Sequence, residues 1–188
     1  MDTKQSLLSK AGDSVLVLVD IQQRLMAAMP EGVREKMLKH VGILLQAADV
    51  MQIPVIVTEQ YPQGLGNTEP ELLTYTSAIP ALEKTCFSCT QLDEFMSYVR
   101  SNYRRQIILT GMESHICVLQ TALQLHEQGF QVFVVEDAVC SRQSQNQQNA
   151  IQRLGQAGVT ISNTESVLFE WLGDAKHESF RSLSKLIV

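Results

Sequence analysis

The stretch QIILTGMESHICVLQTALQLHEQGFQVFVVED, residues 106–137, decides the fold. It opens on the apolar, β-branched run Gln106–Leu109, too short for an ordinary helix and bounded by polar residues. Ser114–Gln128 follows with a long amphipathic pattern, and Gly129 stands where a helix stops. Val132–Val135 is again β-branched. Strand, helix and strand in this order form a βαβ unit, whose two strands run parallel with a right-handed crossover.

The alternation continues in both directions. Downstream, Ser144–Gln156 reads as a helix and Val159–Ile161 as a short last strand, followed by a helical tail. Upstream, VLVLV (Val15–Val19) is a continuous apolar run, as expected of a strand buried on both faces. Val33–Gln52 carries Met37, Val41, Leu44, Leu45 and Ala48 at helical spacing. Pro54 opens a strand over Val55–Thr58, and EQYPQGLGNTEPE, residues 59–71, has the prolines and glycines of a loop. A brief strand is expected at Glu83–Thr85 and a helix at Gln91–Tyr103. Such alternation predicts an α/β fold with a parallel sheet covered by helices on both faces. With no linker, repeat or low-complexity segment, residues 1–188 read as one domain.

Composition narrows the function. The chain has 188 residues, 45% of them apolar, enough for a sizeable core. A net charge of −5 and no basic block argue against a nucleic-acid surface. No apolar run approaches membrane-spanning length, so no membrane role is expected. The acidic N-terminal stretch reads as mature protein rather than a signal peptide, and four cysteines in a chain this long are no disulfide framework. A reducing cytoplasm is the expected compartment.

In parallel sheets, sites form beyond the carboxyl ends of the strands. That rule selects Asp20, Glu59 and Gln60, Lys84, Gly111–Cys117, and Glu136 with Asp137. Asp20 follows five apolar residues, where a carboxylate needs a partner, although a turn or helix-cap role fits as well. Lys84 taken alone reads as a solvated lysine. Cys117, in the first turn of a helix capped by Ser114, would feel the positive end of the dipole, which lowers a thiol pKa. It reads as a nucleophile, a metal ligand or a space-filling thiol. His115, two residues before it, does not face it along a helix and suits a pocket-wall, interface or capping role. His40, His126 and His177 read as surface. The C-x-x-C of Cys86 and Cys89 admits redox chemistry, against a plain pocket-lining role. GLGNT, residues 64–68, lacks the phosphate-loop pattern and reads as a mobile loop over the site. DAVCSR, residues 137–142, ends the fifth strand, so Cys140 and Ser141 are expected to border the pocket, and Asp137 reads as a structural turn.

Together, Asp20, Lys84 and Cys117 would make a chemical unit: a base, its positive partner and a thiol. At these residues the chain resembles the isochorismatase-like cysteine hydrolases, which include nicotinamidases and small amidases. VLVDIQ, EKTCFS and GMESHICVLQT carry the likeness, and TEQYPQGLGNT brings it nearest to the isochorismatase domain-containing subgroup. The resemblance implies a three-layer αβα, Rossmann-like fold with a six-stranded parallel sheet. It implies a catalytic triad of Asp20, Lys84 and Cys117. It also implies a cis peptide at Met112–Glu113 and an oxyanion hole from the backbone N–H groups of Glu113 and Cys117. Gln22, Tyr61, Phe87, His115 and Ile116 are the expected substrate contacts.

Two places depart from the family pattern. Glu113 stands where many family amidases have a small residue. Thr58, Glu59, Gln60 and Tyr61 stand where family nicotinamidases carry Asp-x-His and a further metal-binding His, so no metal and no cofactor is expected. The expectation is a metal-independent hydrolase that cleaves a carbon–nitrogen bond of a small amide. The alternatives are vinyl-ether hydrolysis with Asp20 as general acid, thiol redox chemistry at Cys86 and Cys89, and a non-catalytic binding module. The resemblance also suggests a homodimer or larger homo-oligomer.

Overall fold

The computed structural model describes residues 6–187. In chain order its elements are β1 (Ser14–Val19), α1 (Gln23–Ala27), α2 (Glu31–Val50), β2 (Val55–Gln60), α3 (Pro62–Leu65), α4 (Leu73–Thr76), β3 (Ala81–Lys84), α5 (Asp93–Ser101), β4 (Gln106–Met112), α6 (Leu119–Glu127), β5 (Gln131–Cys140), α7 (Ser144–Gln156), β6 (Thr160–Ser162), α8 (Thr164–Leu172) and α9 (Phe180–Leu183). The six strands form one sheet in the order β3-β2-β1-β4-β5-β6, and every paired neighbour is parallel. This is the doubly wound order, which reverses direction between β1 and β4 and opens a crevice there.

The all-apolar runs are explained by two buried faces. Leu16 and Leu18 of β1 join a core with α2 and α8, through Leu44, Ala48, Leu168 and Trp171. Val15, Val17 and Val19 join a second core with α5, α6 and α7, through Phe95, Ala122, Leu125 and Leu154. β1 and β4 are buried throughout, which places the switch point at the centre of the molecule.

Four of the differences from the sequence reading bear on the site. β5 runs on to Cys140, so Glu136 and Asp137 lie inside it. Leu109 pairs with Val134 but Gly111 with Val139, and the polar pair sits in the resulting bulge. Asp137 Oδ1 there accepts from the backbone and hydroxyl of Thr164, at 2.9 and 2.8 Å, and anchors the start of α8. The segment 59–71 is more ordered than a loop: β2 reaches Gln60, Pro62 starts α3, and Pro70–Leu72 is a 3-10 turn. β3 ends at Lys84 rather than Thr85. Finally, the helix expected from Ser114 opens as a π-turn, Ser114–Val118, before α6. Among the described residues no helix is long and apolar enough to cross a membrane.

Candidate active site

Three strand ends meet at the switch point. Asp20 follows β1 with φ of 53°, a left-handed conformation uncommon for a residue with a side chain. Its N–H donates to the Thr58 carbonyl at 3.1 Å. β1 and β4 approach so closely here that a Cβ on Gly111 (φ 113°) would lie 2.1 Å from the Val19 carbonyl oxygen. Only glycine permits that approach.

The Asp20 carboxylate is fully buried and satisfied on both oxygens. Thr58 Oγ1 donates to Oδ1 at 2.7 Å, and Lys84 Nζ donates to Oδ2 at 2.7 Å. Lys84 closes β3, and its side chain is also withdrawn from water. Its ammonium further donates to Gln60 Oε1 at 2.7 Å and to the carbonyls of Phe87 and Cys86 at 3.1 and 3.2 Å. A charge this deep persists only when paired and hydrogen-bonded. Burial alone would lower the Lys84 pKa, but the Asp20 charge beside it and its hydrogen bond outweigh that and hold the ammonium above its ordinary range. The surface-lysine reading of this position is therefore replaced by a buried ion pair.

Cys117 lies in the π-turn. Val118 N–H reaches back five residues to the Glu113 carbonyl at 3.3 Å, and Ile116 N–H shares that acceptor at 3.0 Å. Such turns recur at functional sites because they shift a side chain out of helical register. The Met112–Glu113 peptide entering the turn is cis. Ser114 does not cap the helix: it is buried, and its hydroxyl has no hydrogen-bond partner among the described residues. The dipole effect expected on Cys117 does not win either. Burial first, then the Asp20 charge, push the thiol well above its ordinary range, and Lys84 opposes them only in part. At rest Cys117 is a thiol that needs a base.

Beside it, Glu113 is buried, with Oε1 2.5 Å from Arg142 Nε and Oε2 3.4 Å from His115 Nδ1. His115 also meets Ser141 Oγ at 3.0 Å and Asn146 at 3.4 Å, so it buttresses the turn. Ile116 packs at the edge of the α5–α7 core. Gln22 is fully buried, and its amide is taken up by the Gly66 carbonyl at 2.6 Å and the Gln60 backbone at 2.7 and 3.0 Å. It clamps the 60–66 segment instead of facing outward. Glu59 is likewise taken up by Thr68. The segment expected to be a mobile loop is thus tied to the fold at both ends.

Tyr61 and Phe87 are half exposed. Tyr61 borders an open cleft of about 580 Å³ with Gln63, Lys84, Thr85, Cys86 and Gln91. Cys86 and Cys89 are both free thiols; Cys86 lines that cleft, whereas Cys89 is buried against Thr58. Among the described residues no three His, Cys, Asp or Glu side chains are gathered as a metal site would need. Thr58, Arg142 and Asn146 are the site residues that strand-end reasoning did not single out. Thr58 had one signal, a hydroxyl within an apolar strand.

Comparison with known proteins agrees with this fold. Residues 14–166 match the isochorismatase domain. The human isochorismatase domain-containing protein 2 is 38% identical over 179 residues, covering 94% of this chain and 83% of that protein. Isochorismatase family protein 1B of Dictyostelium discoideum is 36% identical over 146 residues, covering 74% and 70%. Among solved structures, the MAR1 ribonuclease of Caenorhabditis elegans superposes with a TM-score of 0.89 at 32% identity, covering 96% and 92% of the two chains. The YcaC product of Escherichia coli, an octameric hydrolase of unknown specificity, gives 0.89 at 26%, covering 98% and 91%. A domain match over residues 14–166 and a shared sequence and fold over most of the chain thus show that the chain belongs to the isochorismatase domain family of hydrolases.

Proposed function

We propose that the protein is a metal-independent cysteine hydrolase that cleaves a carbon–nitrogen bond of a small amide. The observation that carries this reading is the fully buried Asp20–Lys84 pair at the same strand ends as the buried Cys117 thiol. Asp20 takes the Cys117 proton as substrate settles, and the thiolate attacks the amide carbonyl. The backbone N–H groups of Glu113 and Cys117 receive the oxyanion. Asp20 returns the proton to the leaving amine, which departs and leaves a thioester on Cys117. Water then gives a proton to Asp20 and adds to the thioester; as the carbon–sulfur bond breaks and the acid leaves, Asp20 returns that proton to the Cys117 sulfur, restoring the thiol and the carboxylate. Lys84 stays charged and orients Asp20. Tyr61, Phe87, His115 and Ile116 border the substrate, while the saturated Gln22 holds the 60–66 segment that carries Tyr61. No cofactor enters these steps.

The test is a panel of small neutral amides assayed for released amine. Wild type is expected to turn over at least one of them. Cys117→Ala and Asp20→Asn are expected to lose about a thousandfold or more while keeping the fold. Turnover that survives Cys117→Ala but not Asp20→Asn would favour vinyl-ether-type acid chemistry instead. A second reading, RNA cleavage, is favoured by likeness to the nematode MAR1 ribonuclease, and the net charge of −5 weighs against it. RNA belongs in the same panel. The octameric E. coli neighbour and the exposed Val50, Tyr75, Tyr98 and Phe169 support a homo-oligomer of one-domain subunits, which light scattering would reveal.

A further inference from the structure

We propose that Thr58 and Cys89 form a brace that positions Asp20 against Cys117, with the Thr58 hydroxyl fixing the plane of the carboxylate. The inference rests on the reading of Asp20 as the base that serves Cys117.

Thr58 holds Asp20 twice. Its carbonyl accepts the Asp20 N–H at 3.1 Å, and its hydroxyl donates to Oδ1 at 2.7 Å. Lys84 on Oδ2 does not fix that plane by itself. An ammonium is a compact charge that attracts a carboxylate without choosing its rotation. A second donor on the other oxygen sets the plane and with it the lone pairs left to receive a proton. Thr58 is fully buried in β2 beside Ile56 and Val57. A valine would fill that space as well and would leave no hydroxyl to satisfy, so the oxygen is what the position uses.

The hydroxyl has a single proton, and Asp20 takes it. At the 3.8 Å contact between Thr58 Oγ1 and Cys89 Sγ, the thiol must therefore be the donor. That polarity requires Cys89 to stay protonated. Burial and the Asp20 charge hold it so, at about 11. The Cys89 backbone N–H in turn donates to Thr121 Oγ1 at 3.0 Å. Thr121 lies four residues beyond Cys117 on the same helical stretch, fully buried. Cys89 thus ties the strand that holds the base to the helix that carries the nucleophile. This gives the second cysteine of the C-x-x-C a mechanical task in place of a redox one.

The test needs no knowledge of the natural substrate. p-Nitrophenyl acetate acetylates an activated thiol, and the acetyl group on Cys117 is followed by mass spectrometry in single-turnover conditions. Thr58→Val is expected to slow acetylation about ten- to a hundredfold, the range for one lost hydrogen bond to a charged group. Thr58→Ser should return it to near wild type, which a packing role would not do. Cys89→Ala should slow it by a smaller factor and keeps the test alive should the valine variant fold poorly. If Thr58→Val or Cys89→Ala acetylates at the wild-type rate while Asp20→Asn does not, the brace is overturned and the Asp20–Cys117 mechanism stands. If wild type is not acetylated on Cys117, or Asp20→Asn behaves like wild type, the mechanism itself fails and the brace falls with it.

Discussion

Two ion pairs flank the candidate nucleophile, one from each half of the sheet, and they differ in their access to water. Asp20–Lys84 joins β1 to β3 at 2.7 Å with both side chains fully buried. Glu113–Arg142 joins the turn after β4 to the end of β5 at 2.5 Å, but 58% of the Arg142 side chain stays exposed. Distance alone would rank them as equals. Burial separates them, because water can replace a lost partner only where it can enter. The first pair fixes one geometry. The second holds the wall of the turn through a buried Glu113 and an arginine open to solvent.

The largest effect that would break this contrast comes from Lys84→Met. It leaves Asp20 as an uncompensated buried charge, and chemical denaturation should show a loss of about 3–5 kcal/mol. The double variant Asp20→Asn, Lys84→Met should recover part of that loss, since both charges are then gone. A loss under 1 kcal/mol for Lys84→Met would mean that water reaches the pair after all.

The next effect is alkaline. Burial raises Cys89 from 9.0 to about 11, lifts Cys117 and Cys140 in the same direction, and Lys84 is held above 10.5, so Cys89 is one of three thiols behind the decline. A thiol raised in the folded state contributes stability that is complete below pH 9 and is lost as pH climbs from 9 toward 11. The Lys84 contribution is likewise present below 10.5 and fades above it. Melting temperature in the presence of reductant should therefore hold level to about pH 9 and fall beyond it, by the equivalent of a few kcal/mol. Cys89→Ala should flatten the start of the decline. A profile as steep in that variant as in wild type would remove Cys89 as a cause.

The smallest effect is Arg142→Met, which should cost about 1 kcal/mol, because solvent reaches the position it vacates. If that cost matched Lys84→Met, the two halves would not differ as their exposure says.

Much of this was legible in the residues. The period of the apolar runs predicts parallel strands with intervening helices, because a strand covered on both faces admits few polar side chains. The strand-end rule then gives a short list that holds Asp20, Lys84 and Cys117, and the family resemblance draws those three out of it. The misreadings share a cause. Glu136 and Asp137 look like a strand terminus, yet β5 carries them inside a bulge that exists only opposite Leu109 and Gly111. Gln22 looks available to substrate until Gln60 and Gly66 fold back onto its amide.

The sequence by itself therefore determined the layered α/β fold and which residue types end its strands, since both follow from local hydrophobic pattern. Only the tertiary structure decided what those residues do to one another. It took register and sheet order to set Lys84 on Asp20 across 64 positions of chain, and to lay the Thr58 hydroxyl on the other oxygen. The same burial left Cys117 protonated, against the expectation from its place at a helix start. The physical reason is that charge pairing and desolvation act through space, over a few ångströms that the order of residues along the chain does not record.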